Sequence, residues 1–265
     1  MQLSQFRDFT RRLSENLNNH PHILGFVAVG SMAEDGRLPD KWSDHDFFVI
    51  TEEGMQDRYR QNTDWIPDNE KIVFSFQETE HGVKVIYDTG HLLEFAVFSP
   101  DELFLARINS CSLLIDKADI RERVDRVIGE TNRWSASNVA GSRYLAGQFL
   151  TNLLVGAGRH FRGEKISGFE FAKVHGLNHF IKLTAKHIQP DDPEALDNIS
   201  PLRRFEQAYT TIGERINHLL TLETPAYCLG MLEIFSEHFS GNTDFYPGLL
   251  VQAVRNTIEK ELKNE

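Results

Sequence analysis

Ile23-Leu24-Gly25-Phe26-Val27-Ala28-Val29-Gly30-Ser31 is followed, after the twelve residues Met32 to Ser43, by Asp44-His45-Asp46-Phe47-Phe48-Val49-Ile50. The first run is β-branched and aromatic up to Val29 and reads as a buried strand, and Phe47 to Ile50 reads as another. A Gly30-Ser31 turn at the mouth of the first strand offers backbone N–H groups and a hydroxyl to a phosphate. Asp44 and Asp46 stand at i and i+2, so period-two alternation sends both carboxylates to one face of the next strand. Ionised side chains are disfavoured inside an apolar strand unless they are paired or metal-bound. A hard divalent cation takes oxygen ligands of this kind, and a triphosphate brings more of them.

Outward from this core, Leu3, Phe6, Leu13 and Leu17 recur at helical spacing, and Pro21 stops that helix near His20. Three further apolar segments, 72–76, 83–87 and 92–98, read as strands. Asp88-Thr89-Gly90 joins the last two with hairpin chemistry, Gly90 being free to take positive φ. Glu94 is an isolated carboxylate in the otherwise apolar 92–98 segment. Strands pair at ~4.8 Å, so a residue on a neighbouring strand can share a cation with Asp44 and Asp46.

Near residue 119 the texture changes to long stretches with a period close to 3.6, at 137–161, 170–188, 202–220, 224–239 and 246–262. Pro190, Pro193, Pro201 and Pro225 punctuate them. The fold class expected is therefore α+β: a small mixed sheet with flanking helices over 1–118, then an all-α helical bundle over 119–265.

The charge balance follows the same division. The chain has 28 Lys and Arg against 39 Asp and Glu, a formal charge of −11. Residues 1–118 carry −9 of this and 119–265 only −2. An extended nucleic-acid backbone calls for the opposite sign, so a polynucleotide partner is not expected. An acidic sheet half favours cations instead. No apolar run is long enough to span a bilayer, and the N-terminal residues lack a secretory pattern. Cys111 and Cys228 are far apart in sequence, which argues against a disulfide framework and favours a reducing, cytoplasmic setting.

Within the helical half, His175 and His179 have the i, i+4 spacing that can hold zinc. No zincin Glu accompanies them, and a solvated polar face accounts for them better. The cations of Arg159-His160-Phe161-Arg162-Gly163-Glu164-Lys165 suit the C-terminal end of a helix dipole. Gly156-Ala157-Gly158 follows a helical pattern rather than a strand and is no dinucleotide fingerprint.

Gly30-Ser31, the linker with Met32-Ala33-Glu34-Asp35-Gly36 and Trp42-Ser43, and the Asp44-x-Asp46 pair together resemble the nucleotidyltransferases of the DNA polymerase β superfamily. The likeness covers roughly the first hundred residues. Members with a sheet and an attached helical half include the antibiotic nucleotidyltransferases that adenylylate aminoglycosides or lincosamides. The resemblance implies that Asp44, Asp46 and Glu94 are catalytic and hold one or two Mg²⁺, Glu94 binding metal or taking the proton of an attacking hydroxyl. It implies that Gly30, Ser31 and Ser43 meet the nucleotide. It also implies an NTP, ATP among them, as donor, a small-molecule acceptor, and a homodimer. Several members carry a basic residue three positions after the Ser; Glu34 stands there in this chain. The phosphate-facing cation is then expected from Arg37, Lys41, or Lys182 or Lys186 of the helical half. Two other readings of the same residues are a nucleotide-binding regulatory module without transfer, and transfer to a protein hydroxyl.

Overall fold

The computed structural model describes residues 1–33, 38–137 and 140–264. The fold is α+β, with a mixed sheet in one compact unit and helices in another. Helix α1 (Leu3–Asn19) buries Phe6, Phe9, Leu13 and Leu17. Leu3 stays exposed in the first turn, and Phe9 completes the apolar stripe in its place. His20 takes an extended conformation before Pro21 and ends the helix.

Strands β1 (Ile23–Val29), β2 (His45–Thr51), β3 (Ile72–Gln77), β4 (Gly82–Tyr87), β5 (Leu92–Phe98) and β6 (Cys111–Asp116) form one sheet in the order β3-β4-β5-β2-β1-β6. The β2–β5 pairing is parallel and the others are antiparallel. The β4–β5 hairpin turns at Gly90 with φ 78°, as its turn residues require. A short helix α2 (Gln56–Gln61) follows β2. Strand β6 is not announced by the sequence, because only Leu113-Leu114-Ile115 is apolar and so short a run has no legible period.

Each face of the sheet has its own core. Phe47, Val49, Val83, Val85, Leu93, Phe95 and Val97 pack beneath α1 together with Trp65. Val27, Ile50 and Phe98 pack beneath helix α3 (Ile120–Ser137) through Ile120, Val124 and Val127. The Asp116 carboxylate accepts the N–H groups of Ile120 and Arg121 at 2.8 and 3.2 Å and starts α3 directly off β6.

The compact units are therefore Met1–Ser137 and Asn138–Glu265, whereas the change in sequence texture had suggested a division after 118. Helical period alone does not say which core a helix covers; the Ile120-Val124-Val127 stripe covers the sheet.

The second unit contains α4 (Ser142–Phe161), α5 (Lys165–Phe169), a π-helical stretch (Glu170–Gly176), α6 (Leu177–His187), α7 (Phe205–Ala208), α8 (Thr210–Leu220), α9 (Thr224–Phe239) and α10 (Gly248–Leu262). Its core forms around Phe149, Phe180, Phe235 and Phe239. The stretch expected at 137–161 is two elements, the end of α3 and then α4. The stretch at 202–220 breaks at Tyr209, whose φ of −134° is not helical. Gly156 is a packing residue: a Cβ there would lie 2.7 Å from Ala172 Cβ and 2.8 Å from the Gly168 carbonyl.

All three tryptophans, Trp42, Trp65 and Trp134, belong to the sheet unit, so their fluorescence reports its unfolding alone. Val124→Asp, which buries a carboxylate between α3 and the sheet, is expected to lower the stability of that fluorescence-monitored transition by about 3 kcal/mol or more in urea. An unchanged midpoint would place α3 outside the sheet's core.

Candidate metal centre

One row of side chains crosses the sheet at the end where β1 finishes and β2 begins. Val29 on β1 pairs with Asp46 on β2, Asp46 with Glu94 on β5, Glu94 with Lys84 on β4, and Lys84 with Phe76 on β3. Directly paired residues project to the same face. Asp44 lies just ahead of β2, two residues before Asp46. Asp44, Asp46 and Glu94 each offer a carboxylate oxygen, all within 4.8 Å of one another. Among the described residues this is the one cluster of three or more such groups.

All three carboxylates are half-buried. Three hard oxygen donors at this spacing suit a Mg²⁺-, Mn²⁺- or Ca²⁺-type cation far better than a thiophilic metal. Like charges so close repel, and a divalent cation relieves that repulsion directly.

Gly30 and Ser31 open a short 3₁₀ turn at the end of β1. Gly30 has φ 57°, a conformation that costs any side chain, and a Cβ there would sit 3.3 Å from Asp46 Oδ2. Asp46 thus occupies the space that a side chain at position 30 would need. Ser31 Oγ donates to the Asp44 carbonyl at 3.2 Å, tying the elbow to the start of β2 as well.

His45, between the two aspartates, points to the other face and is fully buried under α1. Its ring stacks on Phe6 at 3.8 Å. Nε2 donates to the Phe6 carbonyl at 3.3 Å and lies 3.1 Å from Thr10 Oγ1. With Nε2 protonated, Nδ1 is the acceptor for His91 Nε2–H at 2.9 Å. Burial, with His91 adding to it, pushes the His45 imidazole down to about 3, against the pull of the Phe6 carbonyl. His45 is a neutral anchor at neutral pH, and holding it inward holds both aspartates outward.

Lys84 is the residue that the sequence reading missed. Its Nζ lies 3.1 Å from Glu94 Oε1 and 2.8 Å from Glu78 Oε1. Hydrogen bonds to Glu78 and then Glu94 raise its pKa above the ordinary lysine value. The signal was present: a hairpin turning about Thr89 sets Lys84 opposite Glu94.

Several of the other expected residues have local partners. Ser43 Oγ accepts the Asp40 N–H at 2.9 Å and helps form the turn before Asp44. Lys41 Nζ lies over the Trp42 ring, 5.3 Å from its centre. Arg37 and Glu34 lie outside the described residues. In the helical unit, Lys186 Nζ donates to the Ala140 carbonyl at 3.1 Å, and Arg159 stacks on Phe171. His175 faces Glu170 at 3.7 Å, and His179 packs edge-on against Tyr144; the two belong to no three-ligand group among the described residues.

Gly30→Ala tests the elbow. The substitution is expected to cost about 1–2 kcal/mol in urea denaturation, through the positive φ. It is also expected to weaken Mn²⁺ binding measured by titration, through the displaced Asp46. Wild-type Mn²⁺ affinity in this variant would separate the elbow from the triad.

No family model and no curated protein matches the chain. Among solved structures similar to it, an aminoglycoside 6-adenyltransferase from Bacillus subtilis aligns over 99% of both chains at 10% identity, with a TM-score of 0.39. A nucleotidyltransferase-like protein from Exiguobacterium sibiricum aligns over 97% of this chain and 79% of its own, at 15% identity and a TM-score of 0.34. Similarities this distant assign no role to any residue, and the functional reading rests on the triad and its elbow.

Proposed function

We propose that the chain is a nucleotidyltransferase that moves a nucleoside monophosphate from an NTP to a hydroxyl of a small molecule. The observation that carries this reading is the convergence of Asp44, Asp46 and Glu94 beside the Gly30-Ser31 elbow. The three carboxylates are the residues that would hold Mg²⁺. Bound there, the cation would supply charge stabilisation to the triphosphate and its leaving group.

The protein's own groups divide the remaining work. The N–H groups of the elbow receive the β- and γ-phosphates at the mouth of β1. Glu94 accepts the proton of the acceptor hydroxyl. The acceptor oxygen forms a bond to the α-phosphorus as the bond from that phosphorus to the β-bridging oxygen breaks. Pyrophosphate departs with the bonding pair. ATP is the donor to test first. Aminoglycosides and lincosamides head the acceptor panel, because the motif resembles the enzymes that modify them.

A second reading, a nucleotide-binding module without transfer, has one observation in its favour. The Lys84 ammonium already sits on Glu94, the group assigned to take the proton. Calorimetry with Mg-ATP, alongside pyrophosphate release over the acceptor panel, separates the two. Binding without turnover selects the module.

Asp44→Asn and Asp46→Asn are each expected to lower pyrophosphate release by at least about a hundredfold. The tryptophan-monitored unfolding transition should be kept. Wild-type turnover in either variant would refute the assignment.

A further inference from the structure

A cleft of about 800 Å³ lies off the end of the sheet where β2 begins, and Asp44 of the triad is on its wall. Its other walls are the start of α1, with Gln5 and Asp8, and the β4–β5 turn at Thr89-Gly90-His91. The volume is that of a small-molecule pocket. Trp42, two residues before Asp44, also lines it and is 83% exposed. Lys41 Nζ lies over one face of the indole, and an exposure this high leaves the other face open. A single exposed ring is common on a protein surface. One in a cleft that shares Asp44 with the metal centre is placed to meet whatever the metal holds.

The stereochemistry of the transfer says what that is. The elbow flanks Asp46 from β1, and Glu94 flanks it from β5. With pyrophosphate at the elbow and the proton acceptor at Glu94, the leaving and attacking oxygens line up across the strands. An in-line displacement makes those two oxygens apical at the α-phosphorus and the other three equatorial. One of the equatorial oxygens is the 5′ oxygen of the nucleoside. The nucleoside therefore leaves the phosphorus at right angles to that line, along the strands. In one direction the same face is closed, because Phe48, Ile50, Ala96 and Phe98 pack into the core beneath α3. In the other direction the strands end at Asp44, and the cleft begins.

We infer that this cleft receives the nucleoside of the donor, and that the Trp42 indole is the platform on which its base stacks. The inference rests on the nucleotidyltransferase reading. Two peptide units separate Trp42 from Asp44, so their Cα atoms are at most about 7.6 Å apart, a span that one ribose bridges. An indole face stacks on any nucleobase, since every base has a π face. Lys41, on the far face of the ring, sets a positive charge beside a ligand that carries a polyanion.

Calorimetry on the full chain with two probes separates the base from the phosphates. Mg-tripolyphosphate has no base; Mg-AMPCPP carries one, with a methylene between the α- and β-phosphorus. If neither binds, both proposals fall. Trp42→Ala is expected to weaken AMPCPP about tenfold and to leave tripolyphosphate unchanged. Trp42→Tyr, which keeps an aromatic face, should recover most of the loss. AMPCPP should also quench the tryptophan emission of the wild-type chain, and tripolyphosphate should not; in Trp42→Tyr the quench should vanish, leaving only Trp65 and Trp134 to emit. The platform alone fails if tripolyphosphate binds and AMPCPP does not, or if Trp42→Ala binds AMPCPP as wild type does. It fails if that variant loses tripolyphosphate equally, because Trp42 would then support the triad rather than a base. It fails too if Trp42→Ala keeps its nucleotide affinity and raises the KM of the acceptor alone, which would give the cleft to the acceptor.

Discussion

The parallel pairing of β2 with β5 is the constraint on which the site depends. It sets Asp46 directly opposite Glu94, so carboxylates from distant parts of the chain come within metal-sharing distance. Each strand is buried on both sides of the sheet further along, through Phe47, Val49 and Ile50 on β2 and Leu93, Phe95 and Phe98 on β5. A one-residue slip would turn every one of these to the wrong face, so the apolar residues lock the register of the acidic ones. The repulsion between Asp44, Asp46 and Glu94 is thereby imposed by packing far from the charges themselves. Lys84 compensates part of it from β4.

The Asp-His-Asp tripeptide divides its labour across the sheet. His45 goes inward, neutral and hydrogen-bonded to Phe6 and His91, and both aspartates go outward. A buried imidazole with both ring nitrogens satisfied is a costly group to reorient, because either nitrogen would lose its partner in a low-dielectric core. Helix α1 thus serves the site indirectly: its Phe6 carbonyl and ring hold the histidine that aims the aspartates. The elbow supplies the complementary constraint, since only glycine admits both the φ of 57° and the approach of Asp46.

Side-chain chemistry is graded along one row of the sheet. A glycine turn, then carboxylates, then an ammonium, then two phenyl rings follow one another from β1 to β3. Such an order separates where negative charge is held from where apolar surface is offered. Two of the cations raised by the sequence are engaged in their own surroundings, Lys186 on a backbone carbonyl and Arg159 on an aromatic ring.

Local chemistry accounts for what was legible beforehand. Period-two alternation placed Asp44 and Asp46 on one face, Gly30-Ser31 marked a turn, Asp88-Thr89-Gly90 marked the hairpin, and a 3.6 period marked the helices after 140. Counting back from that hairpin also finds Lys84, a step that needs no structure. What no local pattern contains is the choice of partners. That β5 rather than another strand lies against β2, that the weakly apolar β6 closes the sheet on β1, and that α3 belongs with the sheet up to Ser137 are decided by which surfaces bury one another. The chain's periodicities determined the elements and the faces they present. Non-local burial decided which faces meet, because the free energy of strand pairing and helix docking resides in the partner as much as in the segment.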